Sequence, residues 1–147
     1  MANVFDVSAY ILEKKGPMTT MKLQKLAYYS QAWSLVWDEA PLFPEKIEAW
    51  ANGPVVKALY EEHKGSFLIS RIPRGNSDNL TNDQKETIDA VLNYYGDRPC
   101  QWLIDLTHIE APWKNARIGL SDTCRSDSVI SHAAMAEYYC SLPPEEG

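Results

Sequence analysis

The chain of 147 residues is 45% apolar, with five Trp, eight Tyr and three Phe, enough for one sizeable core without metal or disulfide staples. Its formal net charge of −6 argues against a nucleic-acid coat or a polybasic membrane anchor. It also lacks the run of about 18 apolar residues that a spanning helix needs.

The chain-order reading predicts a helix over 6–15, capped by Asp6, balanced at its C-terminus by Lys14 and Lys15, and stopped by Gly16. A longer helix follows Thr19-Thr20 and runs to Trp37. Leu23, Leu26, Ala27, Ser30, Trp33 and Trp37 share one face, and Ala32, Leu35 and Val36 occupy the other. A helix apolar nearly all round belongs at the centre of a fold. After a loop with Pro41 and Pro44, residues 47–51 alternate as a short strand does. Asn52-Gly53-Pro54 breaks it, with Pro54 placed to open a helix that Gly65 ends. Residues 67–72 read as a second strand, and 73–79 as a polar loop. Thr81 and Gln84 form a capping box that opens a helix carrying Ile88, Val91, Leu92 and Tyr95, with Gly96 as its stop. Trp102, Leu103 and Leu106 mark another helix within 99–108, which Ala111-Pro112-Trp113 interrupts. Residues 118–127 form a polar connection, and a last helix runs from Ser131 to Ser141 before Pro143-Pro144. The expected fold is a single domain over 1–147, mostly α: a compact bundle of about six helices around a central buried helix, with one or two short strands.

The chemistry-bearing residues are sparse. His63, Cys100, His108, Cys124, His132 and Cys140 show no C-x-x-C or closely spaced pair, so no metal site is expected. No G-x-x-x-x-G-K or G-x-G-x-x-G phosphate loop occurs. Glu61-Glu62, and Asp105 with Glu110, read as solvated acids before they read as a catalytic pair. The N-terminus lacks a secretory pattern and the three cysteines are widely spaced, which fits a cytoplasmic protein with reduced thiols.

Charge placement is more informative. Residues 14–37 hold four lysines and no acid, so the net −6 divides into +4 there and −10 elsewhere. Lys22, Lys25, Tyr29 and Trp33 fall in one narrow helical sector, a composition suited to stacking on a base, holding a phosphate or forming a protein-binding hot spot or, alternatively, to a core covered by lysine stems. The Trp50–Pro54 corner can present backbone N–H groups to an anion or serve as a structural strand-to-helix corner. His108, Glu110 and Trp113 lie close together on irregular backbone, where sites are often built.

Three of these stretches together resemble one family. Met21-Lys22-Leu23-Gln24-Lys25-Leu26-Ala27-Tyr28-Tyr29 is similar to the K-L-Q-K-L-x-Y signature of the Panacea domain, found in SocA-like antitoxins and phage-associated GepA-like proteins. Pro41-Leu42-Phe43 with Ile47 to Val56 resembles its next block, although Asn52 stands where an aromatic often precedes Gly-Pro. Leu103, Thr107, His108, Glu110, Pro112 and Trp113 resemble the last block. The resemblance implies a small helical cytoplasmic antitoxin that neutralises a cognate protein toxin by direct binding, or delivers it to a protease. It implies no catalytic residue and no cofactor. The expected partner surface comprises Lys22, Gln24, Lys25, Tyr28 and Tyr29, the corner Trp50, Asn52, Gly53 and Pro54, and the loop His108, Glu110, Pro112 and Trp113. A small hydrolase or transferase centred on His108 and Glu110 is the alternative.

Overall fold

Asn3, and not Asp6, caps the first helix. Its side chain accepts a hydrogen bond from the Asp6 backbone N–H at 2.9 Å, and the Asp6 carboxylate accepts from the Asn3 N–H at 3.0 Å. Asp6 therefore lies one turn inside the helix in a reciprocal box. Its second oxygen accepts from the Asn76 N–H and the Asn79 amide, which ties this helix to a 3-10 turn at 77–79.

The computed structural model describes residues 2–121 and 126–142. Among these residues, α1 (Val4–Lys15), β1 (Met18–Thr19), α2 (Thr20–Trp37), β2 (Ile47–Trp50), β3 (Gly53–Val56) and α3 (Lys57–His63) form the first half. The second half holds β4 (Leu68–Ile69), α4 (Asn82–Tyr95), α5 (Cys100–Ile109), α6 (Ala111–Ala116), β5 (Val129–Ile130) and α7 (His132–Cys140). The fold is mostly helical around α2, which α1, α4, α5, α7 and β3 all contact. That enclosure is why α2 needs no polar face, and its core side chains Leu23, Leu26, Ala27 and Ala32 are fully buried.

The strands form two small antiparallel sheets, β1–β4 and β3–β2–β5. β2 and β3 are a hairpin in which Trp50 pairs with Gly53 across Ala51-Asn52. The sequence reading placed Pro54 at the start of a helix, but Pro54 lies in β3 opposite Ala49, and α3 begins only at Lys57. β3 is an edge strand, which tolerates a residue that cannot donate a ladder hydrogen bond. Gly53 adopts φ +114, closed to other residues at little cost, and this lets the chain reverse where a strand-to-helix corner was expected.

Three further expectations change. The strand expected at 67–72 shrinks to Leu68–Ile69, because only Met18 and Thr19 are there to pair with it. Pro112 does not interrupt the chain but sits in the first turn of the short helix α6, where its missing N–H costs nothing. β1 and β5 carry no local pattern and exist only through their distant partners. The capping box at Thr81 and Gln84, and Ser131 as the cap of α7, stand as read. Cys124 and the Pro143-Pro144 tail lie outside the described residues, as does part of the 118–127 connection.

Candidate partner-binding site

α2 carries a row of polar side chains that point inward. The Gln24 amide accepts from the Val56 N–H at 2.8 Å and donates to the Val56 carbonyl at 3.3 Å, so it grips β3 as a neighbouring strand would. Its Nε2 also stands 2.9 Å from His63 Nε2. The Val56 bond fixes which end of the amide is oxygen, so Nε2 has only protons to offer. His63 must therefore accept, as the neutral ring protonated at Nδ1. Burial, which lowers the affinity of this imidazole for a second proton, acts in the same direction.

One residue on, Lys25 is 0% exposed, and its ammonium donates to the Pro54 carbonyl at 3.2 Å. Among the described residues no carboxylate forms an ion pair with it. Burial brings its pKa down to about 8. Gly53 is the reason the chain fits here: a Cβ at this position would stand 2.7 Å from Lys25 Cε and 3.0 Å from Thr107 Oγ1.

A second network gathers around Glu110. Tyr29 and Tyr139 each donate to Glu110 Oε1 at 2.7 Å. The Tyr139 hydroxyl proton is engaged in its hydrogen bond to Glu110, so Tyr28, 3.0 Å away, donates to Tyr139. Tyr29 also stacks on Tyr95, whose hydroxyl accepts from Trp33 Nε1 at 3.0 Å. Burial outweighs the two tyrosine donors and raises the Glu110 pKa to about 7.

These positions correct the expected surface. Lys25 and Tyr29 lie at the centre of the protein, as do Gln24 and Tyr28, while Lys22 and Trp33 are half-buried and buried respectively. The helical wheel groups residues correctly, but it carries no information about which sector another element covers. Gly53, Pro54, Glu110, Pro112 and Trp113 are buried too. From the expected set, Lys22, Trp50, Asn52 and His108 reach solvent.

The structure does join two of the motif blocks. Trp113 Nε1 donates to the Trp50 carbonyl at 2.7 Å, and the His108 ring stacks on Trp113 with centroids 4.1 Å apart. Arg117 adds to this corner, lying over Trp113 and donating to the Ala49 carbonyl. The β2–β3 turn is thus braced from below by Lys25 and from the side by Trp113.

Above this bracing lies a cleft of about 790 Å³. Gln24 and His63 form part of its wall, and Trp50, Ala51, Asn52 and Tyr60 stand at the hairpin and α3 side. Trp50 meets Tyr60 edge to face at 4.9 Å and donates from Nε1 to Glu48, so its indole is held in one orientation. Lys57, Lys64, Glu48, Glu61 and Asp127 place both signs of charge around the cleft. A concave surface with fixed aromatics and a mixed polar rim suits a protein segment.

Other chemistry has less support in the geometry. Glu110 is buried and faces two tyrosines, while Asp105 is exposed and accepts from Gln101, so the two carboxylates stand in different surroundings. Neither His108 nor Glu110 lines the cleft. Among the described residues no three of His, Cys, Asp or Glu converge as a metal site requires. Sequence reasoning missed Tyr60, Gln31 and Tyr139 and weighed His63 only as a metal ligand. Gln24 and Gln31, polar residues inside an otherwise apolar helix, were the available signal for the glutamine clamps. Tyr139 and Glu110 lie 29 positions apart, and nothing local links them.

Comparison with known proteins gives one match. The family model described as antitoxin SocA-like, Panacea domain, matches residues 23–114, more than half of the chain. No curated protein and no solved structure matches.

Proposed function

Because the chain belongs to the SocA-like antitoxin family of Panacea domains, we propose that it neutralises a cognate protein toxin by direct binding in the cytoplasm, without chemistry of its own. The toxin is held at the cleft beside Trp50, Asn52 and Tyr60. The observation that carries this reading is the bracing of the β2–β3 turn by buried residues of the family match: Gln24 on Val56, Lys25 on Pro54 and Trp113 on Trp50. A surface fixed before the partner arrives loses little conformational freedom on binding. On this view the buried motif residues are positioning residues, and the contact is made by the side chains they present.

Ala51→Arg tests the proposal with little risk to the fold, because Ala51 is half-buried at the cleft and outside the core. Co-expressed with the toxin, the variant loses growth rescue while its circular dichroism and melting temperature stay those of the parent. Full rescue by the folded variant removes the cleft from the interface. Trp50→Ala weakens toxin binding by about thirtyfold, the equivalent of roughly 2 kcal/mol. Toxin levels distinguish the two modes of neutralisation: direct binding leaves them constant on an immunoblot, whereas a protease-dependent fall means delivery for degradation.

A further inference from the structure

The C-terminal turns of α2 and α7 meet at a second groove, of about 470 Å³, that the cleft reading does not involve. Leu35, Val36 and Ala136 form its apolar part, together with the Cys140 thiol, and Glu39 and Glu137 stand at its edge. Among the described residues no lysine, arginine or histidine lines it. Helix C-termini carry partial negative charge and favour bases in their last turn. Neither α2 nor α7 has one there. Here two such ends converge and two exposed carboxylates are added to them. Among the described residues neither Glu39 nor Glu137 forms an ion pair. The edge is also fixed in place: Ser34 donates to the Ala40 carbonyl at 2.7 Å and Thr87 to the Asp38 carboxylate at 2.6 Å, on either side of Glu39. Trp37, next in the chain to Val36, is 45% exposed and stacks on Trp33. An apolar groove whose electrostatics all have one sign calls for a partner of the opposite sign.

We propose that the α2–α7 groove docks a basic, amphipathic segment of a partner protein, with an aliphatic side chain on Leu35, Val36 and Ala136 and lysine or arginine heads at Glu39 and Glu137. The charge complementarity selects this occupant over a neutral apolar segment, which would leave both carboxylates and both helix ends uncompensated.

A fluorescein-labelled peptide of alternating leucine and lysine, titrated against the full chain, provides the test. Glu39→Lys combined with Glu137→Lys weakens binding about tenfold, as expected for the loss and reversal of two solvent-exposed ion pairs. The charge-matched pair Asp78→Lys and Asp105→Lys, exposed residues of the 3-10 turn and of α5, leaves binding within about twofold. Mass spectrometry of maleimide-treated protein shows Cys140 shielded by the peptide and Cys100 unaffected. Equal weakening by the two charge pairs would reduce the effect to general attraction for an acidic protein and overturn the proposal. So would a Cys140 that stays reactive with peptide bound. A concentration-dependent dimer abolished by Ala136→Arg would give the groove to a second copy of the chain and overturn it as well.

Discussion

Gly53 shows how little freedom individual residues have around the site. Its φ of +114 and the 2.7 Å approach that a Cβ would make to Lys25 act together, so neither backbone nor side chain can absorb a methyl group. Gly53→Ala lowers stability by about 2 kcal/mol or more, read as a drop in the urea midpoint. Glu110 makes a pH prediction. Its folded pKa of about 7 lies above the ordinary value of 4.5, so the folded state holds a proton that the unfolded state releases. Its contribution is complete below pH 4.5 and declines by on the order of 3 kcal/mol as pH rises to 7. His63 has the opposite sign, because its lowered pKa costs stability as pH falls below 6.5. The difference between the parent and Glu110→Gln isolates the carboxyl: the variant is the more stable of the two at pH 8, and a parent that is equally or more stable there would refute the assignment. Lys25 behaves like His63 at higher pH, adding stability as pH rises from about 8 towards 10.5.

α2 works as an element through two glutamines seven positions apart. Gln24 clamps β3, and Gln31 accepts from the Leu42 and Phe43 N–H groups while donating to the Phe43 carbonyl. Gln24 thereby satisfies the open edge of β3, and Gln31 satisfies buried loop backbone that no strand pairs. Gln31→Ala strands three backbone groups and costs about 2 kcal/mol or more. Faster amide exchange at Leu42 and Phe43 checks it. Thr81→Ala, which removes an exposed cap from α4, costs about 1 kcal/mol and leaves those amides protected. The contrast separates tertiary clamping from local helix propensity. Gln31 is legible in the sequence only as a polar interruption of an apolar helix, and Gln24 only as part of a motif expected at the surface; the backbone they hold lies 11 to 32 positions away.

For the whole molecule, binding is assigned to two separate regions: the cleft at the N-terminal end of α2 and the groove at its C-terminal end. Among the described residues none lines both. Effects of substitutions at such separated sites are independent. Ala51→Arg therefore abolishes toxin neutralisation yet leaves the leucine–lysine peptide affinity within about twofold. A large change in peptide affinity would mean that α2 transmits strain along its length.

Local chemistry sets the helices without help from tertiary contacts. Capping at Thr19, Thr81 and Ser131, and the all-round apolar character of 20–37, depend on neighbours within a few positions, so they were legible in the chain. The family motifs were legible for the same reason. Their roles were not. Whether Lys25, Tyr29 and Glu110 face solvent depends on which elements close over them, and those elements come from distant parts of the chain. The Pro54 strand depends on the reversal at Gly53 and on the partner strand beside it. Hydrophobic pattern and caps act over one or two turns, whereas burial is a property of the completed fold. That range difference left the helices to the sequence and the inside and outside of the motifs to the tertiary structure.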